Sequence, residues 1–370
     1  AIAKNLIPAD FSMLEYCVRE SDLVFESAAE DLKIKKNIAQ RVGAVLKESA
    51  VSCTGTSGLS ITEIASCYSE KLRGHFFGVH MFNPPYSMSL CELTSTVYTD
   101  KKMQAELREY LEKKLLRTVV EVKDSPAFLG NRIGFQFINE ALRFAEKYKD
   151  NGGVDYIDAI LGSFTGRAMA PLVTSDFVGL DVHKAIVDNI YANTNDYAHE
   201  TFILPEFVQQ LIDQNKLGRK SGGGLYQRVK YDNGLVRQTV LDINTGLYRD
   251  IIPYVFPFAD KMKKYIAIGD YQKAFEQLVN NHSQEAEICR FFLLDYIVYS
   301  LYATKEVGYT IEAADDVMAT GFNWCPPLAM YQALSTVADV PTLIEKNLPE
   351  ICKKIDIHEL LRKVKPSKYD

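Results

Sequence analysis

Phe76-Phe77-Gly78-Val79-His80-Met81-Phe82 is an apolar run holding one histidine and stopped by Asn83-Pro84-Pro85; Leu90-Cys91-Glu92-Leu93 follows with one carboxylate. Short apolar runs bounded by turn residues read as buried strands. Upstream, Leu23-Val24-Phe25 and Ala50-Val51-Ser52-Cys53 read the same way. Between them, Leu32, Ile34, Ile38, Val42, Val45 and Leu46 give Glu30 to Lys47 one apolar helical face. The strand at Cys53 ends in the turn Thr54-Gly55-Thr56-Ser57-Gly58, and a short helix over 61–67 leads to the histidine strand. Downstream, 101–116 reads as a helix and 118–122 as a closing strand. Strands alternating with helices predict a parallel α/β sheet.

Beyond Lys123 strand signals are few and long helical patterns dominate. Asp124-Ser125-Pro126 marks the junction, because the residue before a proline is steered away from helix. The expected division is an α/β domain over 1–123, a helical domain over 124–230, and a linker with a second helical domain over 231–370. The helical part reads as a duplication. Arg132 and Asp158 bracket a long apolar helix and a glycine turn, and Arg290 and Asp316 repeat that spacing. Between the copies, 231–250 is polar, with Asp232-Asn233-Gly234 as a hairpin-type turn.

Composition narrows the function classes. A length of 370 residues exceeds one ordinary core, and 47% hydrophobic with 24% charged residues is normal for a globular chain. A net charge of −6 and a pI near 5.7 give no basic footprint for nucleic acid. The most apolar run, 291–303, is broken by Asp295 and too short to span a bilayer, so no membrane partner is expected. Seven scattered cysteines without a CxxC pair fit a reducing compartment and argue against disulfides or a metal site. No signal or lipidation motif is visible, which makes the cytoplasm the default. The chain starts with Ala1, so either it is a fragment or something upstream was removed.

His80 lies near the end of its strand, where ligands bind in α/β folds. Glu92 in an apolar run needs a partner, because an unpaired buried carboxylate is costly. A histidine on a neighbouring strand would be that partner, suited to take a proton from a hydroxyl. The alternative is a core histidine and an edge glutamate that never meet. The turn 54–58 offers hydroxyls and free N–H groups, or is a plain strand-to-helix turn. Asn131 caps its helix or points into a cleft. The stretch Gly218 to Tyr226 lacks the order of a phosphate loop and reads better as a helix end and glycine turn. No Gly-x-Gly-x-x-Gly occurs anywhere, so a dinucleotide fold would show its later strands without its first ones.

Taken together these segments resemble the L-3-hydroxyacyl-CoA dehydrogenase family. His80-Met81-Phe82-Asn83-Pro84 with Met88 and Glu92 matches the family's His-x-Phe-Asn-Pro…Met-x-Leu-x-Glu signature, and Thr56-Ser57-Gly58-Leu59 its Thr-Ser-x-Leu turn. The stretch 22–35 resembles its strand and helix at the nicotinamide, and 123–132 its Lys-Asp-Thr-Pro-Gly-Phe-x-x-Asn-Arg junction. Val178-Gly179-Leu180-Asp181 and Lys220 to Tyr226 resemble its C-terminal motifs. The repeated helical part is similar to the long bacterial form, whose dehydrogenase region precedes an enoyl-CoA hydratase. Three departures stand out: Gly55 where the family has Asn, Ala127 for its Gly, and Cys289 opposite Asn131 in the second copy.

The resemblance implies a Rossmann-like parallel sheet lacking its N-terminal strands, followed by two all-α domains similar to those of 6-phosphogluconate dehydrogenase. It implies NAD as cofactor, contacted by Glu30, Lys35 and Asn83, and an acyl-CoA substrate held by Ser57 and Asn131. His80 and Glu92 are the implied catalytic pair, in oxidation of L-3-hydroxyacyl-CoA in fatty-acid β-oxidation, with no metal. A homodimer and a separate enoyl-CoA hydratase are the implied protein partners. The competing expectation is a non-catalytic CoA-ester-binding or structural subunit, in keeping with the missing dinucleotide loop.

Overall fold

A computed structural model of the chain describes residues 2–230, 234 and 236–369. These form two compact units, Ala1–Phe128 with Val307–Tyr309, and Leu129–Glu306 with Thr310–Asp370.

The first unit contains α1 (Leu14–Glu20) and a five-stranded sheet in the order β1 (Leu23–Glu26), β2 (Val51–Thr54), β3 (Phe76–Met81), β4 (Leu90–Ser95) and β5 (Thr118–Lys123). Helices α2 (Leu32–Gly43), α3 (Ile61–Ala65) and α4 (Lys101–Lys113) connect them. Each helix starts on a side-chain cap: Asp31 accepts from the Ile34 N–H, Ser60 from Glu63, and Asp100 from Lys102 and Met103. All five strands stand where the apolar runs placed them. One neighbouring pair departs from a parallel sheet, for β3 and β4 run antiparallel while the other three pairs are parallel. The cause is local. The connection 82–89 is shorter than the dozen or so residues that a parallel crossover requires, so it can only turn back as a hairpin.

Strand alternation then sorts the side chains. Phe77 and Val79 of β3, with Cys91 and Leu93 of β4, pack against Leu107 and Leu111 of α4 and form the core on that face. Gly78 and His80 point to the opposite face. There the bare backbone of Gly78 lets α3 approach, since a Cβ would sit 2.8 Å from Ile61 Cδ1.

The second unit is built on α5 (Gly130–Lys147), with α6 (Val154–Ile160), α7 (Pro171–Val178), α8 (Leu180–Asn193) and α9 (Glu206–Asp213) around it. The sequence reading gave 231–250 as a polar linker. It holds two strands, β7 (Val236–Leu241) and β8 (Tyr248–Asp250), which form an antiparallel sheet with β6 (Tyr226–Lys230) just before it. Its strands are only partly buried, with one short buried run at Thr239–Leu241, and lack the apolar runs that reveal a buried strand, which is why pattern alone missed them. Lys230 pairs with Val236 across the expected Asp-Asn-Gly turn, of which Asp232 and Asn233 lie outside the described residues. Helices α10 (Pro257–Ala267), α11 (Tyr271–Val279), α12 (Gln284–Val307), α13 (Ala313–Val317), α14 (Pro327–Ser335) and α15 (Val340–Asn347) follow.

The two helical stretches meet about equivalent positions. Arg167 pairs with Trp324 in an isolated antiparallel bridge, and the residues before them, Gly166 and Asn323, are both left-handed. Asp158 accepts from the Leu172 N–H at the start of α7, as Asp315 accepts from Leu328 at the start of α14. Arg167 and Trp324, Gly166 and Asn323, and Asp158 and Asp315 each stand 157 positions apart, so Asp315 rather than the sequence-matched Asp316 holds the counterpart place. A buried carboxylate capping the next helix is the shared device, and burial pushes Asp158 up to about 7.

The glycine stretch closes on the chain itself. Asp176 accepts from the Leu225 and Tyr226 N–H groups at 2.8 and 2.7 Å, so its own carboxylate fills the place an exogenous anion would take. Gly224 has no room for a side chain: a Cβ would lie 2.3 Å from Asp176 Oδ1 and 2.5 Å from Gly218 Cα. Gly224→Ala is expected to lose about 3 kcal/mol in urea unfolding. Gly222→Ala, left-handed but with nothing within 4 Å, is expected to lose only about 1 kcal/mol.

Candidate active site

The antiparallel register of β3 and β4 sets His80 directly opposite Glu92. Cross-strand neighbours on one face stand close enough for their side chains to meet. Here Nδ1 of His80 lies 2.8 Å from Oε2 of Glu92. His80 is 5% exposed and Glu92 fully buried. An ionised carboxylate only accepts, so Nδ1–H is the donor in this pair and Nε2 is left free of Glu92. The ring is held further by Phe82 and Phe128, whose centroids lie 4.6 and 5.7 Å away. The result is a buried imidazole oriented through Nδ1 by a buried carboxylate. The reading in which the two side chains never meet is excluded.

A second polar cluster occupies the ends of β1 and β2, on the same edge of the parallel strands as His80. Lys35, 2% exposed, binds Glu26 at 2.9 and 3.1 Å, donates to the Ala28 carbonyl, and lies 3.7 Å from Glu30. Glu26 also accepts from Thr54 Oγ1 at 2.6 Å. Glu30 reaches across to the turn after β2, accepting from Thr56 Oγ1 at 2.6 Å and the Ser57 N–H at 2.8 Å. The structure thus joins three of the residues picked from sequence, Glu30, Lys35 and Ser57, in one network. Asn83 is exposed and follows β3 at a cis peptide bond to Pro84. Asn131 stands in the first turn of α5, in the second unit, and is 7% exposed.

Sequence reasoning gave Glu26 no role of its own, took Thr54 only as part of the turn 54–58, and took Asp124 only as a junction residue. Asp124, just beyond β5, accepts from Ser60 Oγ and from the Ile61 and Thr62 N–H groups at 3.0, 2.9 and 2.7 Å. It therefore ties down the start of α3 and, through it, the turn carrying Ser57. The available signal was Glu26 itself, a carboxylate ending an apolar strand nine positions before a lysine, which has to be partnered if buried. Gly55, where the resembling family carries Asn, lies against Phe25, whose ring would be 3.1 Å from a Cβ.

The cluster fits the nicotinamide half of a dinucleotide. Two carboxylates, Glu26 and Glu30, face one cation, Lys35, and the surplus negative charge suits the positively charged oxidised ring. Rival chemistries find less support. Ser175, His183 and Asn139 are linked in the order of a nucleophilic triad, at 3.1 and 2.9 Å, but all three are fully buried and closed to substrate. Burial pulls His183 down to about 3, so the link is a neutral structural bond. Burial likewise pushes the Cys91 thiol up to about 12. Among the described residues no group of three or more His, Cys, Asp or Glu could hold a metal ion.

Residues 8–125 match the NAD binding domain of 3-hydroxyacyl-CoA dehydrogenase, and residues 128–228 match its C-terminal domain. A 3-hydroxybutyryl-CoA dehydrogenase of Clostridioides difficile is 35% identical over 210 residues, covering 56% of this chain and 72% of that protein. The chain belongs to the 3-hydroxyacyl-CoA dehydrogenase family. A probable 3-hydroxyacyl-CoA dehydrogenase of Bacillus subtilis is 28% identical over 319 residues, covering 86% of this chain but 39% of that protein. The chain thus spans about two-fifths of the length of that longer relative. The crystal structure of 3-hydroxybutyryl-CoA dehydrogenase from Escherichia coli K12 shares the fold over 97% of this chain and 85% of that one, with a TM-score of 0.65 at 21% identity.

Lys35→Met is expected to strand Glu26 among Thr54 and backbone groups without its cation. The predicted loss is roughly 3 kcal/mol in chemical denaturation, the range for breaking a buried ion pair from one side.

Proposed function

We propose that the chain oxidises an L-3-hydroxyacyl-CoA to the 3-oxoacyl-CoA, with NAD as hydride acceptor, in fatty-acid β-oxidation. The observation that carries the reading is the 2.8 Å contact between His80 and Glu92 at the strand ends. His80 takes the C3 hydroxyl proton on Nε2 as the C3 hydride departs. When bound, NAD supplies the acceptor for that hydride. Glu92 fixes the ring through Nδ1–H and stabilises the imidazolium as it forms, an interaction that strengthens as charge develops. In this reading Ser57 holds the hydroxyl, Asn131 the carbonyl end of the acyl group, and Glu30, Lys35 and Asn83 the cofactor. Glu26, Thr54 and Asp124 act as positioning residues behind them.

An acyl-CoA substrate, a homodimer, a separate enoyl-CoA hydratase and a cytoplasmic location complete the proposal and rest on family resemblance. Among the described residues no helix is long and apolar enough to cross a membrane.

His80→Gln keeps the bulk and polarity of the ring but no base. Turnover of hydroxyacyl-CoA is expected to fall by a factor of about 10² to 10⁴ with the unfolding midpoint nearly unchanged. Wild-type turnover in that variant contradicts the assignment. Titration with NADH separates the enzyme from a non-catalytic CoA-ester-binding subunit: a saturable fluorescence change favours the first, and silence the second.

A further inference from the structure

Far along the chain from His80, within the helical unit, the end of α11, the start of α12 and the end of α15 surround a cavity of about 330 Å³. Its lining includes Arg290, Lys346, His282 and Asn347, with Glu287 as the one acid. Arg290 is 6% exposed. Its guanidinium donates to the carbonyls of Leu278 and Asn281, and to Asn347 Oδ1 at 3.3 Å. Those acceptors are neutral. Among the described residues neither Arg290 nor Lys346 has a carboxylate within 4.0 Å.

The contrast within the same unit is direct. Arg132, another buried guanidinium of this unit, carries its counter-ion in Asp196 at 2.8 Å. Burial pulls Arg290 below the usual arginine range, and the attraction of Glu287, which makes no ion pair with it, only partly offsets that cost. Two carbonyls account for Arg290 as a tie between α11 and α12. They do not account for a second cation and a histidine brought to the same cavity. An oxyanion accepts from Arg and Lys at once, and such charge-assisted bonds are the strong ones. The cavity has room for a phosphate group and lacks the apolar lining of a site for a chain or ring, since only Val279 and Leu343 are apolar.

We propose that this cavity binds a small oxyanion of the phosphate-monoester class, with Arg290 and Lys346 as its charged donors. Lys346, His282 and Glu287 are exposed, so they can be changed without disturbing the core.

The test titrates the whole chain with inorganic phosphate against chloride at constant ionic strength, following phosphorus NMR line width and calorimetric heat. Saturable binding of one phosphate per chain is expected. Lys346→Gln is expected to weaken it about tenfold, and Glu287→Gln, which removes the repelling acid, to tighten it. NADH binding should be the same in both variants and in the wild type. Coenzyme A and its 3′-dephospho form distinguish the source of the monoester. Competition by the first alone assigns the site to the coenzyme's ribose phosphate, and competition by neither assigns it to free phosphate. Absence of saturable binding, or an affinity unchanged by Lys346→Gln, overturns the proposal.

Discussion

A single strand pairing governs the functional half of this molecule. Because β3 and β4 are joined by a hairpin, their cross-strand register decides which side chains meet, and it sets His80 on Glu92. A shift of one residue would turn each side chain to the other face of its strand. The imidazole would then enter the apolar core formed by Phe77, Val79, Cys91 and Leu93. The same core resists that shift, since each of those side chains contributes roughly 2 kcal/mol by staying out of water. Packing on one face of the sheet thereby maintains the chemistry on the other.

Buried charges elsewhere follow a common rule of being answered within the chain. Lys35 is met by Glu26, Arg132 by Asp196, and Asp155 by Arg249, all at 2.9 Å or less. Asp158 and Asp176 are met instead by backbone N–H groups, and burial raises both above the ordinary carboxylate range. Arg290 is the exception that motivates a ligand from outside, for its partners are carbonyls and an amide. Arg167 is a second buried guanidinium without an acid, but it lies over the rings of Phe137 and Trp324 at 3.8 and 4.5 Å, where aromatic faces offset its charge.

Much of the sheet was legible in the sequence because its strands are short, apolar and buried. The direction of β4 was not read from those apolar runs; it follows from the length of the loop before it. His80 and Glu92 were visible as lone polar residues in apolar runs, but their contact depends on register, which a single chain does not reveal. The roles of Glu26 and Asp124 were not legible because they are long-range. Each binds groups far along the chain, and no local spacing announces that. The sheet β6–β8 was hidden for a different reason: its strands are polar and only partly buried, so they carry no sustained apolar run to see.

In the proposed reaction His80 and Glu92 act as one unit in proton transfer. A double-mutant cycle on hydroxyacyl-CoA turnover, comparing His80→Gln, Glu92→Gln and both together, measures that most directly. If the carboxylate works only through the imidazole, the double variant will be no slower than His80→Gln alone. Losses that multiply, with each change reducing the rate independently of the other, would contradict it.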